Sequence, residues 1–146
     1  MKRYYLYLFF TLLCVCIHAQ KTKNSCSEEE FRAKKQAYIT EQAGLTEEEA
    51  AQFFPVYYEL QALKKQVNRK AWNEARKGKN PETTEAEYEN ILLSFIDAEE
   101  KNCNLDKEYL KKYQSILSNK KIYMVLRAEI KFNRNMVKIV QSSKQK

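Results

Sequence analysis

The sequence predicts an all-α protein whose four helices form elongated, bent hairpins. Glycine and proline, the residues that break helices, number only two each among 146 residues. Charged residues make up 31% of the chain, and apolar residues recur every three or four positions over long stretches,. Sheet proteins need many turns, and doubly wound folds need glycine-rich loops, so the composition excludes both classes.

The first two helices are delimited by capping sequences. Ser27 and Glu30 form a capping box that begins the first helix, and Gly44 is the expected left-handed residue at its end,. Thr46 and Glu49 begin the second helix, which continues to about Lys77. Pro55 lies inside this helix and should bend it, because the apolar periodicity continues beyond the proline.

The remaining two helices follow the turn predicted over residues 78–83. Thr84 and Glu87 form a third capping box, and the helix that they begin extends to about Leu117,. Ser118 or Asn119 caps a fourth helix that extends from Lys120 to about Val140.

The N-terminus has the pattern of a secretory signal peptide. Lys2 and Arg3 precede an uncharged apolar run over residues 4–17, which is too short for a membrane span of roughly 20 residues,. We predict cleavage after Ala19 or Gln20 and a periplasmic location. The domains are then a signal peptide (1–19), a flexible N-terminus (20–26), a helical domain (27–140) and a disordered tail (141–146). An uncleaved N-terminal anchor is the alternative.

Cleavage would leave two cysteines, Cys26 and Cys103, and no histidine, because His18 lies in the leader. In an oxidising compartment the two thiols could form one disulfide, within a chain or between two. The alternative is a free Cys26 and a buried Cys103.

The second helix carries two stripes of large side chains, whereas a surface helix normally has one. The first is the predicted core stripe: Phe53, Val56, Tyr57, Leu60, Leu63, Val67 and Ala71. The second lies about 150° away at 100° per residue and mixes aromatic rings with cations: Phe54, Tyr58, Lys65, Arg69, Trp72 and Arg76,. Its rings could pack on a neighbouring helix or a second subunit. Alternatively, the stripe binds acidic or unfolded protein segments.

The segment 64–79 has seven basic residues and one acid, Glu74. An exported protein rarely meets nucleic acid, so we expect no nucleic-acid partner, whereas peripheral contact with an anionic membrane surface stays open. A solvated helix face is the simplest interpretation.

The third and fourth helices each place acids where apolar residues are expected. Glu99, Asn102 and Asp106 interrupt the apolar stripe of the third helix, which indicates a solvent-lined concavity or a bend. A metal site of Glu99, Cys103 and Asp106 is disfavoured, because tight sites usually use histidine or several cysteines. Glu129 lies within the core face of the fourth helix and should pair with a Lys or Arg of another helix.

The sequence contains no histidine base in the mature chain, no glycine-rich phosphate loop and no nucleophile elbow,. We therefore expect a protein that is not an enzyme and that needs no cofactor.

The stretch 38–57, YITEQAGLTEEEAAQFFPVY, resembles the periplasmic LTxxQ-motif proteins of the Spy/CpxP type, in a Bacteroidetes-like branch. Leu117 and Ser118 repeat the Leu-Thr pair 72 residues later, and residues 129–132 fit the same pattern. The glutamine of the motif is replaced by Glu49 in the first copy and by Lys121 in the second.

This resemblance implies an all-helical, cradle-like homodimer. It also implies ATP-independent binding of unfolded or misfolded envelope proteins. From the helix faces we predict that the mixed stripe is the client-binding face. The alternative is a signalling module that binds and inhibits the periplasmic domain of a sensor kinase, or a metal-linked sensor, although the metal-linked members use histidines that the mature chain lacks.

Overall fold

A computed structural model describes the backbone of residues 22–143 and the side chains of residues 28–138, 141 and 142. The regular structure in this part of the chain is entirely helical, which confirms the predicted all-α class with four helices. The helices are α1 (Thr22–Ala43), α2 (Glu47–Ala75), α3 (Glu85–Gln114) and α4 (Asn119–Ser143), and a 3-10 turn over Arg76–Lys79 follows α2.

The helix α1 extends over two compact units, one ending at Tyr38 and the second beginning at Ile39. It begins at Thr22, five residues before the predicted cap Ser27, so residues 22–26 are helical rather than a separate N-terminus. No glycine or proline lies between Thr22 and Ser27 to stop a helix there,. The predicted signal peptide lies outside the described residues. At the other end, α4 extends to Ser143, beyond the predicted Val140.

Gly44 ends α1 with the predicted left-handed geometry, at φ +61°. The Leu45 amide donates to the Thr40 carbonyl at 3.0 Å, and the Gly44 amide donates to the Glu41 carbonyl at 3.3 Å. These two hydrogen bonds together form the Schellman motif, which satisfies the last carbonyls of a helix. Gly44 thus turns the chain directly into the start of α2.

Capping side chains begin the next three helices. The Thr46 hydroxyl accepts from the Glu49 amide at 3.1 Å, while the Glu49 carboxylate accepts from the Thr46 amide at 2.8 Å. Thr84 and Glu87 form the same reciprocal pair at the start of α3. At the start of α4 the Ser118 hydroxyl accepts from the Lys121 amide at 3.3 Å. Both complete capping boxes were predicted from their spacing.

The helices α2 and α3 form an antiparallel hairpin, which the tight turn at Gly78 makes possible. A Cβ atom at Gly78 would lie 3.2 Å from side-chain atoms of Tyr88 and Ile91, so glycine lets the turn pack closely on α3. Along the hairpin, α2 contacts α3 in antiparallel order, as the Phe53–Tyr113 ring pair at one end and the Trp72–Phe95 ring pair at the other show.

The core lies where α2 meets the other helices of the second unit. Phe53, Tyr57, Leu60 and Ala71 of the predicted core stripe are buried, whereas Val56, Leu63 and Val67 are half-buried. The other buried side chains come from all four helices and the short connections: Ile39, Ala43, Leu45, Ala50, Phe54, Ile91, Ala98, Tyr109, Leu117, Val125, Ala128 and Phe132. The core stripe of α2 is therefore largely confirmed.

Residues 72 positions apart contact each other where α2 meets α4. The Lys121 ammonium donates to the Glu49 carboxylate at 2.7 Å, and the Tyr57 hydroxyl donates to the Glu129 carboxylate at 2.5 Å. The two positions that depart from the LTxxQ motif thus form an ion pair with each other. The hydrogen bond from Lys121 and the backbone amide of Thr46 lower the pKa of Glu49 below its ordinary value,.

The contact at Glu129 adds a partner that the sequence did not indicate. Its carboxylate accepts from a tyrosine hydroxyl of α2, whereas the predicted pairing with a Lys or Arg stays a prediction. Burial, and then the hydrogen bond to Glu129, raise the pKa of Tyr57, so its hydroxyl stays a donor at neutral pH.

We predict that Tyr57→Phe lowers the free energy of unfolding by about 1–3 kcal/mol, because the half-buried Glu129 carboxylate loses one donor. The matched control is Tyr88→Phe, whose hydroxyl donates to the Gly78 carbonyl at 3.3 Å on the exposed turn and should cost under about 0.5 kcal/mol,. Urea unfolding followed by circular dichroism measures both, and equal losses would contradict the prediction.

Candidate binding surface

The structure divides the mixed stripe of α2 into a buried part and an exposed part. Phe54, expected on the client-binding face, has only 3% of its surface exposed and belongs to the core. Tyr58 is half-buried, and its ring lies 6.0 Å from the Phe54 ring and 5.2 Å from the Tyr57 ring. The two aromatic residues at the start of the stripe therefore form one cluster with the core.

Phe54 is buried because the N-terminal half of α2 has neighbours on more than one side. Phe53 packs on Tyr113 of α3 with ring centroids 4.8 Å apart, while Tyr57 bonds to Glu129 of α4. The Phe54 ring lies edge-on to Phe53 at 5.4 Å. A helix enclosed in this way buries two faces, so the second stripe was wrongly taken as accessible at this end.

The C-terminal part of the stripe is accessible. Lys65, Arg69 and Arg76 are exposed, and 63% of the Trp72 surface is exposed. The Trp72 and Phe95 rings form an edge-to-face pair with their centroids 5.2 Å apart and their planes at 83°, so one side of the indole is anchored while the rest faces solvent,. An anchored, half-free indole is a suitable contact for apolar segments of a partner.

A leucine of α3 enlarges this surface. Leu92 precedes Phe95 by one helical turn, and 65% of its surface is exposed,. The neighbouring Ile91, by contrast, is buried. We give the name binding surface to the exposed Trp72 and Leu92 with the half-buried Phe95, bordered by Lys65 and Arg69 of α2 and by Arg76 of the turn that follows.

The polar interruption of α3 forms contacts beside the binding surface rather than an open concavity. The Asn102 side-chain amide donates to the Asn68 side-chain oxygen at 2.8 Å, and Lys64 pairs with Asp106 at 2.8 Å. Polar residues of α2 thus face polar residues of α3, although Glu99 and Asp106 both stay exposed.

A groove of about 770 Å³ lies between α2 and α3, on the side of α2 away from Trp72. Its floor includes Leu63, Val67, Ala98 and Leu105. Charges of both signs border it: Lys70, Glu74, Asp97, Lys101 and Glu108. The hairpin therefore offers two surfaces of different character, one basic with an exposed indole and one mixed.

Cys103 is a free thiol and is exposed. The alternative to a disulfide that we considered, a free Cys26 with a buried Cys103, is therefore wrong about the burial of Cys103. The side chain of Cys26 lies outside the described side chains, so the proposed disulfide stays a prediction. Within the described residues, no group of three or more His, Cys, Asp or Glu side chains could hold a metal ion.

None of the described helices is both long enough and apolar enough to cross a membrane. No family model matches the chain, and no curated protein or solved structure is significantly similar to it. The resemblance to the LTxxQ-motif proteins therefore stays a prediction from the quoted residues.

Two aromatic residues of the stripe, Phe54 and Trp72, should differ in how much stability their truncation costs. We predict that Phe54→Ala lowers the free energy of unfolding by about 3–5 kcal/mol, because it leaves a cavity in the core. Trp72→Ala should cost less than about 1 kcal/mol, since most of the indole is exposed,. Denaturant unfolding of both variants measures the difference, and a larger loss for Trp72→Ala would contradict the assignment of the surface.

Proposed function

We propose that this protein is an ATP-independent chaperone of the bacterial envelope that holds partly unfolded proteins on the binding surface. The observation that carries the proposal is Trp72, an indole that is largely exposed although its edge contact with Phe95 holds it in place. An exposed apolar cluster of this kind commonly marks an interaction site.

The charges beside Trp72 favour a particular class of client. Lys65 and Arg69 lie on the same side of α2 as the indole and Arg76 lies in the turn directly after α2, all within about two helical turns of Trp72,. Cations attract acidic segments over about 10 Å at physiological salt, while the apolar side chains offer contact without demanding a sequence. Weak binding to many acidic, unfolded segments is the expected behaviour. The N-terminal sequence pattern of a signal peptide supports a periplasmic location for this activity,.

The test is the aggregation of a chemically unfolded acidic client, followed by light scattering at stoichiometric ratios without ATP. We expect the wild-type protein to suppress aggregation and Trp72→Ala with Arg69→Ala to bind the client about tenfold more weakly, since exposed Trp and Arg dominate such contacts.

The matched control is Tyr123→Ala with Arg127→Ala, which removes an exposed aromatic–Arg pair from α4, where the guanidinium lies 5.9 Å from the ring centroid. Far-UV circular dichroism is the check that both double variants keep their helices. Equal suppression by the two variants would contradict the site, and a lack of suppression by the wild-type protein would contradict the chaperone proposal.

The groove on the other side of the hairpin favours a second candidate function, an adaptor that inhibits one sensor kinase. Its border of both positive and negative charges suits a partner with a defined complementary pattern,. Saturable one-to-one binding to a single periplasmic sensor domain would favour this function over the chaperone.

We also propose that the protein forms the homodimer that the resemblance implies, through the outer stripe of α3. This stripe consists of Ile96, Cys103 and Leu110, which are all exposed and seven residues apart. A twofold axis at Cys103 would place Ile96 of one copy against Leu110 of the other. It would also bring Glu100 close to Lys107 of the second copy, so one flank is self-complementary in charge. On the other flank of the stripe, Asp106 is paired with Lys64 of its own chain, so that carboxylate does not need a partner in the second copy.

Cross-linking tests this register. In a background with Cys26→Ser and Cys103→Ser, we expect Ile96→Cys chains to cross-link with Leu110→Cys chains, and neither variant to cross-link with itself. Oxidised glutathione supplies the oxidant, because two protein thiols and one glutathione disulfide give one protein disulfide and two glutathione thiols. Self-cross-linking of Ile96→Cys would indicate a parallel pair and contradict the antiparallel dimer.

A further inference from the structure

The outer face of α4 carries an apolar stripe that the core does not use. Its four large side chains are each about half exposed and follow helical spacing: Tyr123 at 57%, Leu126 at 53%, Ile130 at 49% and Val137 at 56%,. The inner face of the same helix is the one that packs, through Val125, Ala128 and Phe132. The helix therefore has two apolar faces, and the outer one is open.

The charge on α4 is almost entirely positive. Five cations follow one flank of the outer stripe: Lys120, Arg127, Lys131, Arg134 and Lys138. The helix has one acid, Glu129, which points inward and accepts from Tyr57. The Arg127 guanidinium lies over the Tyr123 ring, so an aromatic residue and a cation already share this surface,.

A concavity of about 390 Å³ lies directly beside the stripe. Three of the five cations line it, Arg127, Lys131 and Arg134, and Ile130 of the stripe forms another part of its wall. Gln42, at the end of α1, closes it and accepts from Lys131 at 3.4 Å. A basic pocket with an apolar edge suits a group that has a phosphate at one end and a hydrocarbon chain at the other.

We infer that the outer face of α4 docks on the surface of an anionic phospholipid leaflet. The stripe enters the boundary between headgroups and acyl chains, and the basic pocket takes a phosphodiester headgroup. A second copy of this chain fits the face poorly, because two such helices would place like charges side by side. The inference does not depend on the chaperone proposal, whose surface lies on α2 and α3.

Vesicle sedimentation tests the docking. The protein used is the mature form, purified from cells that export it. We expect binding to vesicles of about equal parts phosphatidylglycerol and phosphatidylcholine, little binding to pure phosphatidylcholine, and weaker binding as salt rises. Ile130→Asp should lower the partition coefficient at least about tenfold, because a carboxylate would enter the apolar boundary.

The matched control is Leu93→Asp, which introduces the same charge at a position with the same exposure, 49%, on α3. It should stay within about twofold of the wild-type value. A second comparison removes charge alone: Arg127→Gln with Arg134→Gln should weaken vesicle binding about tenfold, whereas Arg69→Gln with Arg76→Gln, in α2 and the turn after it, should have little effect on vesicle binding. Unchanged far-UV circular dichroism shows that these surface variants fold.

Each contrary result overturns the inference. Absence of wild-type binding to the anionic vesicles excludes the leaflet as the partner. Equal losses for Ile130→Asp and Leu93→Asp, or for the two arginine pairs, show that binding is not located on α4. Loss of client protection by Ile130→Asp without any vesicle binding would assign the stripe to protein ligands instead.

Discussion

The pairing of α2 with α4 is the constraint on which the rest of this fold depends. Glu49 with Lys121 joins the first turns of the two helices, and Tyr57 with Glu129 joins them about two turns further on, at equivalent positions 72 residues apart. Leu45 and Leu117, which directly precede the capping residues of these two helices, are both buried. A chain with few large apolar residues thus uses specific polar contacts to orient helices that hydrophobic burial alone would hold loosely.

This pairing explains why the two halves of α2 behave differently. The first half contacts both α3 and α4, so its aromatic residues are enclosed and Phe54 becomes a core residue. The second half packs on α3 through Ala71 and the edge of Trp72. Its outward side stays exposed, which leaves the cations and the indole available to a partner.

The exposed apolar side chains fall on surfaces that differ in charge. The binding surface of α2 and α3 is bordered by cations, the outer stripe of α3 has both signs, and the outer stripe of α4 is bordered only by cations. Charge then separates the proposed partners: acidic unfolded segments, a second copy of the chain, and an anionic leaflet. Apolar area alone would not distinguish them, since all three surfaces expose side chains of similar size,.

The features that depend on neighbouring residues in the chain could be predicted from the sequence. The capping boxes at Thr46 and Thr84, the left-handed Gly44 and the core stripe of α2 each depend on residues within one or two helical turns, and the structure confirms them. The signals that depend on distant neighbours were misread or missed. Periodicity shows that a helix has two apolar faces, but the arrangement of the other helices decides which face is covered. For this reason Phe54 is buried, Leu92 is exposed, Glu129 accepts from a tyrosine that the sequence did not indicate, and the outer stripe of α4 became evident only once its inner face was seen to pack.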